Sequence, residues 1–79
     1  MAFKIILAKR AAAGRRAIAS AIRNEGFEVL EIADSESIRE LDDSDFDLLL
    51  YDQDLQPSER IRLAVWARHS TIPIIVLTN

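Results

Sequence analysis

Four short segments of the chain are nearly continuous runs of large apolar and β-branched residues. They span residues 3–8, 27–32, 46–51 and 72–77. Such runs are typical of strands buried on both faces of a parallel sheet. Residues 27–32 contain two glutamates, which indicates an edge strand, whereas the triple leucine within 46–51 indicates a central one. We therefore predict four strands.

Helical patterns separate these strands. Residues 11–24 are rich in alanine and arginine, and Gly26 follows as expected just beyond a helix C-terminus. A short helix is predicted over 34–41, and a longer one over 58–69. Strands that alternate with helices in this way form right-handed βαβ units around a parallel sheet. The predicted fold class is α/β.

Composition and charge narrow the class of protein. The chain has 79 residues, of which 49% are hydrophobic and 29% charged, which predicts one packed domain and excludes disorder. It has no cysteine, so neither a disulfide framework nor a thiolate metal site can compensate for its small size. The first apolar run is too short for a signal peptide or a membrane span. We expect a cytoplasmic protein with no membrane contact.

The charges are segregated along the chain. Residues 1–24 carry six basic side chains and no acid, whereas residues 25–54 carry twelve acids and only Arg39 as a base. Segregation of this kind can be a solvated pattern without a role, or a surface for a charge-complementary partner or a second copy. The net charge of −3 argues against nucleic-acid binding by a surface of Arg15, Arg16 and Arg23.

Polar residues follow three of the predicted strands, and the carboxyl ends of parallel strands meet at one edge of a sheet. This is where ligands bind in open α/β folds. The residues are Lys9 and Arg10, then Asp52 and Asp54, and finally Thr78 and Asn79.

At these positions the chain resembles the receiver domains of bacterial two-component signalling. The resemblance lies in NEGFEVLEIADSES after the first helix, in DFDLLLYD, in the downstream Pro57, and in IPIIVLT. It implies a flavodoxin-like, doubly wound parallel sheet of order 2-1-3-4, with the phosphoacceptor position at Asp52 and the switch position at Thr78. Residues 1–79 would form a single receiver-like domain that stops before the family's fifth strand.

The sequence departs from the family at the metal site. The acid pair that binds magnesium in receivers is replaced by Lys9 and Arg10. Two cations repel the metal that phosphoryl transfer to a carboxylate needs. We therefore expect no metal, no cofactor and no catalysis, and an ion pair from Lys9 or Arg10 to Asp52. Asp54 is an alternative carboxylate for this pair.

Two functions remain open at this point. The first is a non-catalytic signalling or interaction module that acts by dimerisation, or by contact with another signalling protein or an output domain. The second is a phosphorylatable receiver whose remaining part lies outside this sequence. Because residues 72–77 form an uncharged edge strand, we expect a homodimer centred on Ile74, Val76 and Trp66.

Overall fold

The computed structural model describes residues 3–77, which form an α/β fold. Four strands make one sheet whose pairings are all parallel, in the order β2-β1-β3-β4. The predicted fold class and strand order are confirmed. The elements are β1 (Lys4–Ala8), α1 (Ala12–Asn24), β2 (Glu28–Ile32), a first 3₁₀ helix (Glu36–Glu40), a second 3₁₀ helix (Asp43–Asp45), β3 (Leu48–Asp52), α2 (Pro57–Ser70) and β4 (Ile74–Leu77).

The sheet separates two apolar layers because successive side chains of a strand point to opposite faces. Ile6 and Leu49 are fully buried on the face that packs against Leu63 of α2. Leu7 and Leu50 are buried on the other face, together with Ala19 of α1. The helices therefore cover opposite faces of the sheet.

The acidic middle of the chain forms two 3₁₀ helices where one short helix was predicted over 34–41. Asp34 Oδ1 accepts hydrogen bonds from the N–H of Glu36 and of Ser37, each 3.1 Å long. Asp42 Oδ1 accepts in the same way from the N–H of Ser44 at 3.0 Å. Such local carboxylate bonds compete with the hydrogen bonds of a longer α-helix. They also delay the start of β3 to Leu48.

Helix α2 begins at Pro57, one residue earlier than predicted. Gln56 is its N-cap and Pro57 its first residue, whereas the sequence pattern predicts a helix over 58–69. Proline is favoured at the first helical position because its missing N–H has no partner there anyway. Glu59 lies in the first turn, and its Oε1 accepts from the N–H of Gln56 at 3.4 Å.

Strand β4 forms one edge of the sheet. It pairs with β3 from Leu49↔Ile74 to Asp52↔Leu77, and no other described strand pairs with it. Ile74, Ile75 and Val76 are all exposed. Within residues 3–77, no helix has the length and apolarity to cross a membrane.

Candidate functional site

The candidate site lies where β1 and β3 end. Ala8 is the register partner of Tyr51, so Lys9 and Asp52 are brought side by side at the carboxyl edge of the sheet. Lys9 Nζ donates to Asp52 Oδ2 at 3.0 Å and to Asp54 Oδ2 at 3.3 Å. The side chains of Lys9 and Asp52 are only 14% and 7% exposed. One ammonium group therefore bridges two carboxylates in a largely dry setting.

Asp52 is held by its own loop as well as by Lys9. The N–H of Asp54 donates to Asp52 Oδ2 at 3.0 Å. This oxygen thus accepts one bond from an ammonium and one from the backbone. Charge-assisted bonds of this kind are the stronger ones in proteins.

Asp54 serves a second purpose at the start of α1. Its Oδ1 accepts from the N–H of Arg10 at 3.1 Å, and its Oδ2 from the N–H of Ala11 at 3.0 Å. The N-cap residue of α1 is Ala11, whose side chain cannot cap the helix. Partial burial disfavours ionisation of Asp54, but these two N–H groups and the Lys9 ammonium together hold the pKa of its carboxyl below the ordinary value.

Two neighbours direct Lys9 toward the carboxylates. Arg15 donates from Nη1 to the Lys9 carbonyl at 3.0 Å, which fixes the backbone. Gly14 leaves room for the lysine stem, since a Cβ atom at Gly14 would lie 2.6 Å from Lys9 Cε. The hydrogen bond to Asp52 raises the pKa of Lys9, burial opposes this rise, and Asp54 adds to it. Lys9 is therefore charged at neutral pH.

The residues at this edge do not fit the magnesium ion that receivers bind. Magnesium needs octahedral oxygen coordination. Here the Lys9 ammonium contacts both carboxylates, and nowhere in residues 3–77 do three acidic or imidazole side chains converge as a metal site would require. This arrangement therefore supports no reaction step that uses a bound metal ion.

The other candidate residues are distributed as follows. Arg10 is exposed and contributes only its backbone N–H to the site, so the predicted ion pair is made by Lys9. Thr78, the switch-position candidate, lies outside the described residues. Ile74 and Val76 are on β4, whereas Trp66 lines a groove between the first 3₁₀ helix and α2. The predicted dimer centre therefore draws on two elements, β4 and α2.

Sequence reasoning missed two features of the site. The packing of Gly14 against Lys9 is one, and it could not be predicted from spacing. Glu31 was treated as part of an edge strand, but it binds Arg15 at 3.4 Å and Arg23 at 3.2 Å. These two arginines of the basic segment are thus already neutralised in part.

Comparison with known proteins assigns the chain to no family. The sequence matches no protein-family model and no curated protein.

Proposed function

We propose that this protein is a non-catalytic signalling or protein-interaction module of the receiver type, which acts by dimerisation or partner contact without conventional phosphorylation. The observation that carries the proposal is the contact of Lys9 Nζ with Asp52 and Asp54, at 3.0 and 3.3 Å. A phosphorylatable receiver would need a free carboxylate at the position of Asp52 and a metal ion bound beside it. Here the Lys9 ammonium lies where the metal ion would bind, and it cannot dissociate because it is part of the chain.

The chemistry of the lysine supports a fixed state. An ammonium is a compact cation with three donors and no ligand positions to offer. With two of its three donors on Asp52 and Asp54, it leaves one donor for the equatorial oxygens of a transferring phosphoryl group. The module would therefore stay in one state and signal through its surfaces. The cytoplasm is its proposed location.

Phosphotransfer provides the direct test. The protein is incubated with magnesium and acetyl phosphate, and its intact mass is measured. We expect no added phosphate, because Lys9 excludes the metal on which the transfer depends. A stoichiometric adduct that disappears in Asp52→Asn would contradict the proposal and favour the phosphorylatable receiver.

A gain-of-binding variant gives the matched control. Lys9→Asp combined with Arg10→Asp would place acids next to Asp52 and Asp54, where oxygen ligands suit magnesium. We expect calorimetric titration with magnesium to show binding by this double variant and none by the unaltered protein. Equal magnesium affinity of the two proteins would mean that Lys9 does not exclude the ion.

A further inference from the structure

A second surface is formed by the groove between the first 3₁₀ helix and α2, which we call the Trp66 groove. Its volume is about 330 Å³. Ile38 and Trp66 lie at its core side, and Ile61 and Val65 lie along α2. This groove is separate from the carboxyl edge of the sheet, since neither Lys9 nor Asp52 lines it.

Two apolar side chains of the groove are open to solvent. Ile61 is 64% exposed and Val65 is 49% exposed. They are four residues apart on α2, so they form one ridge of the helix. Contiguous exposed apolar surface is a common sign of a protein contact site.

The charged residues of the groove are both arginines, Arg39 and Arg62. Neither makes an ion pair with any residue between 3 and 77, in contrast to Lys4, Lys9, Arg15 and Arg23. Ser35 also lines the groove, and its buried Oγ has no hydrogen-bond partner among the described residues. The groove thus combines an apolar floor with two arginines, of which Arg39 also borders a cleft lined by Asp34, Glu36 and Glu40.

We propose that the Trp66 groove binds an amphipathic helix of a partner protein, one that carries apolar side chains along one face and carboxylates beside them. The apolar face would cover Ile61, Val65 and Trp66. The carboxylates would meet Arg39 and Arg62. Helices dock in this way into apolar grooves between helical elements, through anchors spaced three and four residues apart.

A second copy of this chain does not supply such a helix from its described part. Helix α1 contains no acid, and the only acid of α2 is Glu59. Glu59 already accepts from the N–H of Ser35 at 3.2 Å and from that of Gln56. The inference goes beyond the function proposed above and holds whether or not Asp52 accepts phosphate.

Trp66 is the only tryptophan in the chain, so its fluorescence reports on the groove. Two helical peptides of about 15 residues serve as probes, one with leucines on one face and glutamates beside them, the other with lysines in place of the glutamates. We expect the acidic peptide to bind saturably at low salt and the basic peptide to bind at least about tenfold more weakly.

Variants separate the two groove arginines from charge in general. Arg39→Glu and Arg62→Glu should each weaken the acidic peptide about tenfold, because each replaces an attractive contact with a repulsive one. Arg16→Glu alters another exposed arginine, on α1, and should leave the affinity within about twofold. Circular dichroism confirms that the variants are folded.

Several results would overturn this inference. They are equal affinity for the two peptides, an unchanged affinity in Arg62→Glu, and no fluorescence response to the acidic peptide at millimolar concentration. The proposed occupant would be wrong if light scattering showed a dimer for the unaltered protein and a monomer for the Ile61→Ser variant. That outcome would assign the groove to a second copy.

Discussion

At the scale of single residues, the buried position of the Lys9 side chain determines how strongly its charge affects stability. The side chain leaves the end of β1, passes Gly14 and ends between Asp52 and Asp54. Because the ammonium and Asp52 are largely shielded from water, removing either partner would strand the other charge. Exposed ion pairs, by contrast, are screened by solvent and contribute little.

A double-mutant cycle would measure this difference. We expect Lys9→Met to lower the free energy of unfolding by about 3 kcal/mol, because Asp52 loses its cation while remaining buried. Combination with Asp52→Asn should recover part of this loss, since no charge is then stranded. Lys4→Met is the matched control, because Lys4 meets Glu28 at 3.9 Å with both side chains exposed, and it should cost about 1 kcal/mol or less.

Urea denaturation monitored by circular dichroism gives all of these values. Equal losses in Lys9→Met and Lys4→Met would contradict the buried pair. Strict additivity of Lys9→Met and Asp52→Asn would contradict it as well.

Gly14 provides a second test at this scale. Replacing a glycine inside a helix by alanine normally stabilises a protein by about 1 kcal/mol. Here the added methyl group must displace the end of the Lys9 side chain, so we expect Gly14→Ala to give no gain in the unaltered protein. The same substitution should give the full gain when Lys9 is alanine. A gain of the same size in both backgrounds would show that Gly14 does not accommodate Lys9.

At the scale of elements, contacts at the helix ends determine the helix boundaries, which hydrophobic periodicity leaves open. Asp54 binds the two backbone N–H groups just before α1 from another loop, whereas Glu59 binds the N-cap N–H of α2 from within the first turn of that helix. The C-terminus of α2 is different, because Thr71 adopts the left-handed conformation with φ of 59°. A β-branched residue is strained there.

Thr71→Gly should therefore stabilise the protein. Glycine adopts positive φ without steric conflict and is the preferred residue just beyond a helix. We expect the free energy of unfolding to rise by about 1 kcal/mol. Thr71→Ala is the control, because alanine retains its Cβ and should change stability little. Thermal melts of the three proteins would check this, and a lower melting temperature for Thr71→Gly would contradict it.

At the scale of the whole molecule, β4 is the open feature of the sheet. Its exposed residues Ile74, Ile75 and Val76 are uncharged and β-branched, and its outer edge pairs with no described strand. Edges of this kind readily pair with another chain unless charge or a bulge prevents it. A two-fold pairing of β4 with its counterpart would close the assembly.

We expect this chain to sediment as a homodimer, with twice the 8.9 kDa mass of one copy. Val76→Lys should dissociate it, because the lysine places a charge at the centre of the paired strands. Ile61→Lys changes a residue that is even more exposed, but on α2, and should leave the dimer intact. A stable monomer at micromolar concentration would contradict the proposal, as would dissociation by Ile61→Lys alone.

The sequence by itself determined the α/β class and the four strands, whereas their order was what the resemblance to receiver domains implied. It could do so because continuous apolar runs and their alternation with helical patterns are local properties that packing rarely reverses. It also placed Lys9 and Arg10 at the same edge as Asp52 and Asp54, because parallel strands end at a common edge. Ends of elements were less certain, as Pro57 and the two 3₁₀ helices illustrate, since they depend on which side chain reaches a backbone N–H first.

Only the tertiary structure decided which cation binds Asp52, what Asp54 does and where Trp66 lies. Lys9 and Arg10 are adjacent and chemically similar, and their difference arises from the space at Gly14 and the turn into α1. Trp66 and Val76 both belong to apolar segments, but only Trp66 lines the groove beside the first 3₁₀ helix. Contacts between residues distant in the chain depend on shape and distance, which periodicity does not encode.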